Sequence, residues 1–298
     1  MLPDYTKLNL YQNHTREWLN NEYAYPVLSR RAGGISVGIN LSPANECNFH
    51  CVYCQVIPEQ IHPGMKVDFP KLRDELEHCV DFALSGAIFD HPYFKDVPAR
   101  QRRVNDVAFS GNGEPTISPF FPQTVELVTE IRQTRMTDGP DEAFRKAAEE
   151  MKIVLITNAT RLGRSELLPT LELLLANHGE IWAKLDAGTE EYYHRIDRSA
   201  VPFQTILDGI TQFARRDPVI LQTLFSRLNG EEPGEAELAA YIERVQKILE
   251  SGGQVRYIQL HSVCRPPICA EAQTLEPEIL REYAGKITEK TGVEVRVF

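Results

Sequence analysis

No run of apolar residues in this sequence is long enough to span a bilayer, which excludes a helical membrane protein. Internal repeats, low-complexity tracts and a linker that would cut the chain are also missing. Basic residues are in deficit, 32 Lys and Arg against 42 Asp and Glu, for a net charge of −10. Proteins that grip a long nucleic-acid backbone neutralise phosphate with an excess of cations, so this balance leans against such a partner. One local exception is Arg100, Arg102 and Arg103, which fits either a solvated basic loop or a phosphate contact. The opening 20 residues are polar and mixed in charge and predict neither a signal peptide nor an anchor, hence a cytoplasmic protein.

What is present is an ordinary 298-residue composition, 42% hydrophobic and 25% charged, enough to bury a large core as one barrel or two smaller domains. Short apolar, β-branched runs at 35–41, 104–110, 152–157, 181–186, 218–225 and 255–261 predict strands. Stretches of helical period at 71–84, 122–132, 141–151, 166–176, 203–215 and 235–250 separate or follow them. A last helix at 277–291 and a short strand at 293–298 close the pattern. Strand and helix alternating six times predict an α/β fold with a parallel sheet and right-handed crossovers. Six units fall short of the eight that close a barrel, so the expectation is a partial (β/α)6 barrel with a C-terminal helix and short strand. The organisation expected is an N-terminal extension over 1–34, the barrel over 35–263 and a C-terminal extension over 264–298 packed on it.

Ligands of parallel α/β folds sit at the carboxyl ends of the strands. Cys47 follows the first predicted strand, Gly111-Asn112-Gly113-Glu114 the second and Asn158 the third, while Asp186 ends the fourth and His261 the sixth. Of six cysteines, 47, 51, 54, 79, 264 and 269, three fall within eight residues. Such clustering without a secretory signal points to metal rather than to disulfides. Thiolates are the ligands iron–sulfur clusters require, and three local ones leave one coordination position open for chemistry. The alternative for the same loop is a zinc site on Cys47, His50, Cys51 and Cys54, although structural zinc usually takes its ligands as two separated pairs. Cys79 lies among the apolar positions of a predicted helix and reads as core.

The run Cys47-x3-Cys51-x2-Cys54, with the aromatic Tyr53 directly before its last cysteine, resembles the signature of radical SAM enzymes. The resemblance implies a 4Fe-4S cluster on Cys47, Cys51 and Cys54 whose fourth iron is chelated by S-adenosyl-L-methionine. Reductive cleavage of that cofactor then gives methionine and a 5′-deoxyadenosyl radical that abstracts hydrogen from substrate. Gly111-Asn112-Gly113-Glu114 resembles the family's Gly-Gly-Glu-Pro-type motif, which implies a hold on the methionine amino group, with Glu114 supplying the carboxylate. The two glycines are expected to let backbone approach the ligand closely. Tyr53, Asn158, Asp186 and Gln222 are likewise expected to contact cofactor, the polar strand-end residues suiting ribose hydroxyls or a carboxylate. Tyr192 and Tyr193 are candidates to wall the substrate space, and Trp182 is expected to pack.

The blocks NLSPANECNFHCVYC, FSGNGEPT, ITNAT, AKLDAG and LHSVCRPP resemble the Fe–S oxidoreductases related to the tRNA wybutosine-synthesis radical enzymes, from about residue 35 to 267. Those enzymes carry a second cluster on cysteines ahead of the first motif, whereas this sequence has none before Cys47 and lacks their basic character. The tRNA substrate is therefore not carried over. A small-molecule or peptide substrate is expected, with RNA base modification and a non-catalytic zinc-binding interaction module as alternatives. His261, Cys264, Arg265 and Cys269 are the candidate catalytic or substrate residues. The thiol pair could serve as auxiliary metal ligands, a redox couple or a reactive sulfur, or be inert. A reductant such as flavodoxin or ferredoxin is the implied partner, and no feature specifies an oligomeric state.

Overall fold

In a computed structural model of the 298-residue chain, residues 18–56, 66–265, 267 and 269–298 are described. Strands β1 (Ala24–Ser29), β2 (Gly34–Ile39), β3 (Val104–Phe109), β4 (Lys152–Thr157), β5 (Gly179–Lys184), β6 (Val219–Leu224), β8 (Val255–His261) and β10 (Val295–Val297) are ordered β1-β2-β3-β4-β5-β6-β8-β10 in one sheet. β1 pairs antiparallel with β2, and the pairs β2–β3, β3–β4, β5–β6, β6–β8 and β8–β10 are parallel. Among the described residues β1 and β10 are its edges, so the sheet is open, as the expected incomplete barrel requires. A two-residue ladder joins β7 (Arg227–Leu228) to β9 (Ala272–Gln273).

The helices are α1 (Phe69–Leu84), α2 (Phe121–Asp138), α3 (Glu142–Glu150), α4 (Leu168–Ala176), α5 (Glu190–Ile196), α6 (Phe203–Arg216), α7 (Glu235–Glu250) and α8 (Pro277–Thr291). Each of the six predicted strand–helix units has its counterpart, and the final helix has the predicted bounds. The central strands are buried on both faces: β2 and β6 have no residue outside the core, as parallel strands covered by crossovers demand. β1 is the element the sequence conceals, because Pro26 interrupts it. Proline lacks the N–H a central strand needs, but among the described residues β1 pairs on one side and tolerates it.

The chain divides into two compact units, one of residues 1–46, 60–155 and 168–180, the other of 47–59, 156–167 and 181–298. In the first unit, β1 is secured by a buried carboxylate. Glu75 on α1 accepts hydrogen bonds from the backbone N–H groups of Glu22 (3.0 Å), Tyr23 (2.7 Å) and Ala24 (3.2 Å). Cys79, one turn further along α1, is buried as expected. Arg102 of the basic triplet is used inside its own loop, donating to the Val97 carbonyl at 2.9 Å and to that of Lys95 at 2.7 Å.

Asp106 on β3 is buried and hydrogen-bonded by Ser36 on β2. Burial pushes its carboxyl up to about 6, with Ser36 and Lys152 opposing and Glu180 assisting the rise. A carboxyl raised in the folded state favours folding while protonated. That contribution is complete below the ordinary carboxylate range and is lost as pH rises through about 6.

Two outcomes follow for this unit. Glu75→Ala, which strands three amides, lowers the unfolding free energy by about 2–4 kcal/mol in urea titrations, and Glu75→Gln loses less. Asp106→Asn melts above the parent at pH 7.5, by about 2 kcal/mol in stability, and the difference closes towards pH 4.

Candidate functional site

The cysteine loop lies in the second unit, where its apolar residues do the anchoring. Phe49, Val52 and Val56 are buried, and the Phe49 ring meets Tyr193 edge-on with centroids 5.7 Å apart. His50 N–H donates to the Asp197 carbonyl and Val52 N–H to that of Ile196, both at 2.9 Å, so the loop is clipped to the end of α5. Between these anchors Cys47, Cys51 and Cys54 are half-exposed. The sequence shows the same logic, with apolar Phe49 and Val52 set between the thiols.

Asn48 ties the loop to the end of β4. It accepts from Asn158 Nδ2 at 2.7 Å and donates to Thr160 Oγ1 at 3.0 Å, while its carbonyl accepts from Ser199 Oγ at 2.7 Å. Asn158, expected to contact cofactor, thus braces the residue after Cys47, and its Nδ2 stands 4.0 Å from Cys47 Sγ. The Phe49 N–H donates to the same sulfur at 3.4 Å. Donors of this kind stabilise a thiolate, as a metal-bound cysteine requires.

Buried carboxylates lie on the other side of the loop. Tyr53 OH donates to Asp186 Oδ2 at 2.5 Å and is 3.3 Å from Asp197 Oδ1, and Cys51 Sγ is 3.4 Å from that Asp197 oxygen. Lys184 Nζ sits 3.1 Å from Asp186 Oδ1 and 5.0 Å from the Tyr53 ring centroid. Burial, then the neighbouring Asp186, pushes the Asp197 carboxyl well up. Burial, then Asp197, does the same to the Cys51 thiol. In Tyr53 burial and Asp186 raise the phenol. Asp197 and its role are invisible in sequence because it ends a seven-residue helix too short to show a period.

Asp186 is further fixed from behind, its Oδ1 accepting from the Leu224 N–H at 2.7 Å. Two residues on, Gly188 presses against α7, and a Cβ there would lie 2.6 Å from the Ala240 carbonyl carbon. Glu237 on α7 accepts from Gly188 N–H, Thr189 N–H and Thr189 Oγ1, and Arg244 donates to the Gly188 carbonyl at 2.9 Å. Gln222, expected to contact cofactor, is buried and donates to Gln259 on β8 at 3.0 Å. Tyr192 and Tyr193 are buried, as is Trp182, whose expected role was packing.

His261 ends β8 and is buried, while Cys264 is exposed and Cys269 half-exposed, neither in a disulfide. The Arg265 carbonyl accepts from Gln55 Nε2 at 3.4 Å, which brings this loop beside the residue after Cys54. Thr274 Oγ1 donates to the Val263 carbonyl at 2.6 Å and Leu275 N–H to Ser262 Oγ at 2.9 Å, closing the loop at its base.

Gly111-Asn112-Gly113-Glu114 follows β3 in the first unit. Asn112 N–H donates to Asn40 Oδ1 at 3.0 Å, and Glu114 N–H to the Glu46 carbonyl at 2.9 Å. A Cβ on Gly113 would lie 2.7 Å from Ser42 Cβ and nearer still to the Glu46 carbonyl oxygen. The close approach that excludes a side chain here is therefore to the chain segment leading into Cys47. Glu114 is buried, and its Oε1 accepts from Thr116 N–H at 3.1 Å and Thr116 Oγ1 at 2.6 Å, capping a short 3-10 turn.

Three thiols on one braced loop, with N–H donors aimed at one sulfur, suit an iron–sulfur cluster by donor type. Among the described residues no three His, Cys, Asp or Glu side chains converge on a single ion. His50, the fourth donor of the zinc alternative, is exposed.

No family profile matches the chain. It is 26% identical over 211 residues to a protein named GTPase Obg of Brachyspira hyodysenteriae, covering 70% of this chain but only 26% of that one. It is 22% identical over 261 residues to a UPF0026 protein of Helicobacter pylori, covering 86% of this chain and 70% of that protein. A UPF0026 protein of Synechocystis is 29% identical over 191 residues, 63% of this chain and 57% of its own length. Among solved structures, a radical SAM methyltransferase from Sphaerobacter thermophilus superposes with a TM-score of 0.57 at 12% identity, covering 92% of this chain and 68% of that one. Streptococcus suis SuiB bound to S-adenosylmethionine gives 0.53 at 11% identity, covering 90% and 52%. TYW1 with a lysine-pyruvate adduct bound gives 0.52 at 15% identity, covering 85% and 73%.

The glycine positions carry a test of this packing. Gly113→Ala costs about 1–3 kcal/mol because backbone must move. Gly285→Ala, on α8 with open space around it, is neutral or gains up to about 1 kcal/mol, and thermal melts of the two variants separate them.

Proposed function

Starting from a chain with the fold of the radical SAM enzymes, we propose that it is one of them. It would cleave S-adenosyl-L-methionine reductively at a 4Fe-4S cluster and draw hydrogen from a small-molecule or peptide substrate. One observation carries this reading: three thiols at the radical SAM spacing stand on a loop whose anchoring uses its apolar residues, its amides and Tyr53. A 4Fe-4S cluster held by Cys47, Cys51 and Cys54 would supply one-electron reduction of the bound sulfonium cofactor.

The chain's own residues have separable tasks in this reading. Cys47, Cys51 and Cys54 would hold the cluster, and the donors at Cys47 would stabilise its thiolate. Glu114 and the Gly111–Gly113 backbone would hold the methionine ammonium, a cation that a carboxylate suits. Asn158 braces the loop through Asn48. His261, Cys264, Arg265 and Cys269 follow the end of β8, and Arg265 suits a carboxylate or phosphate on substrate. The electron would come from a carrier such as flavodoxin or ferredoxin. No helix among the described residues is long and apolar enough to cross a membrane, and the reading requires none.

The test is anaerobic. Purified chain should carry about four iron and four sulfide and a broad visible absorbance. With dithionite and S-adenosylmethionine it should form 5′-deoxyadenosine, and Cys51→Ala should reduce that product below detection. Glu114→Gln should weaken cofactor binding with iron content intact. A colourless, zinc-loaded chain, or full activity in Cys51→Ala, overturns the reading.

A further inference from the structure

The resemblance assigns Asp186 to the cofactor, yet its carboxylate is already engaged from three sides. Oδ1 takes the Leu224 N–H at 2.7 Å and the Lys184 ammonium at 3.1 Å, and Oδ2 takes the Tyr53 hydroxyl at 2.5 Å. An ionised carboxylate has about four acceptor sites, so three are occupied within the chain. The three partners belong to β5, to the end of β6 and to the cysteine loop. Asp186 is thus the point where the loop is joined to the strand ends.

We infer that Asp186 is a positioning residue that latches the cysteine loop through Tyr53, with Lys184 as its counter-ion. The latch acts between Cys51 and Cys54, because Tyr53 lies between them. The apolar anchors Phe49 and Val52 fix the first half of the loop, and the Asn48 bonds fix its start. After Val52, Tyr53 is the residue whose side chain ties the loop to the sheet before Gln55 reaches Arg265 at 3.4 Å. Freed of its hydroxyl bond, the segment around Cys54 keeps, among the described residues, the local Cys54 N–H to Cys51 carbonyl bond at 3.0 Å, that long Gln55 contact, the Tyr53 ring beneath Lys184 and the buried Val56 side chain. Lys184 matters because a buried carboxylate is costly without a cation, and its ammonium also covers the Tyr53 ring. Glu237 and Arg244 on α7 hold Gly188 two residues on, so the latch has a rigid base.

The latch itself does not depend on the cluster; its consequence for iron retention rests on the function proposed above, and the experiment separates the two. Hydrogen exchange of peptides spanning 47–56 is followed by mass spectrometry in the full chain, before and after anaerobic loading with iron and sulfide. The variants are Tyr53→Phe, Asp186→Asn and the double, with β8 peptides as the reference for global opening. Tyr53→Phe removes one oxygen and should speed exchange in the loop about tenfold with β8 unchanged. The double variant should fall within twofold of the worse single, since both act on the loop through the Tyr53–Asp186 contact. In loaded chain, Tyr53→Phe should lose its visible absorbance to a chelator several-fold faster, from an unchanged initial iron count. Exchange in Tyr53→Phe within twofold of the parent, or losses that multiply in the double, overturns the latch. Weaker S-adenosylmethionine binding in Asp186→Asn with loop exchange unchanged overturns it too, and returns Asp186 to the cofactor. If the parent chain takes up no iron, faster loop exchange in Tyr53→Phe still supports the latch, and only the proposed function falls.

Discussion

A loop whose sulfurs are to stay available, as the proposed cluster would need, has to be held in place chiefly by its other groups. The anchors come from the residues between them, and this constraint organises the second unit. Phe49 packs on Tyr193 of α5 and Val52 is buried, His50 and Val52 lend their amides to Asp197 and Ile196, and Asn48 is gripped from the end of β4. Tyr53 completes the set by reaching Asp186. The thiols are left half-exposed, neither buried in the core nor loose in solvent.

The same constraint accounts for polar groups deep in the unit. Asp186 and Asp197 are almost wholly buried, which is tolerable only because each is met by donors. Lys184 supplies one positive charge to this region. Where that compensation is thin, at Asp197, burial and the neighbouring Asp186 drive the carboxyl upward. Helix α7 contributes at a distance: Glu237 and Arg244 grip the turn that carries Asp186, and Tyr241 OH meets Thr223 Oγ1 on β6 at 2.7 Å. In the first unit Gly111–Glu114 is fitted with equal closeness to the segment 40–46, so the backbone leading into Cys47 is fixed before the first thiol is reached.

Strong periodicity made the fold readable. The strands 35–41, 104–110, 152–157, 181–186, 218–225 and 255–261 were legible because buried parallel strands are continuous apolar runs, and α7 and α8 because their apolar faces repeat over four turns. β1 escaped because Pro26 imitates a break, and α5 because seven residues cannot display a helical period. The cysteine trio was legible because its ligands are contiguous. Asp197 was not, because it stands 143 to 150 positions from the thiols and nothing local marks it. Asn158, Asp186 and Gln222 were legible as polar strand-end or strand residues, but their partners were not. The structure gives Asn158 to Asn48, Asp186 to Tyr53 and Leu224, and Gln222 to Gln259.

The sequence by itself determined the alternation of strand and helix, the spacing of three metal-competent thiols and the chemical type of the residues beyond each strand. These follow from patterns within a few residues or turns, where the chain's own geometry fixes what is neighbour to what. Only the tertiary structure decided which of those polar groups bind each other. Hydrogen bonds between residues 37 to 151 positions apart depend on strand register and crossover, and a one-residue slip would exchange every partner. That is why Tyr53 could be recognised as an aromatic in a motif, but only the packed chain set its hydroxyl on Asp186.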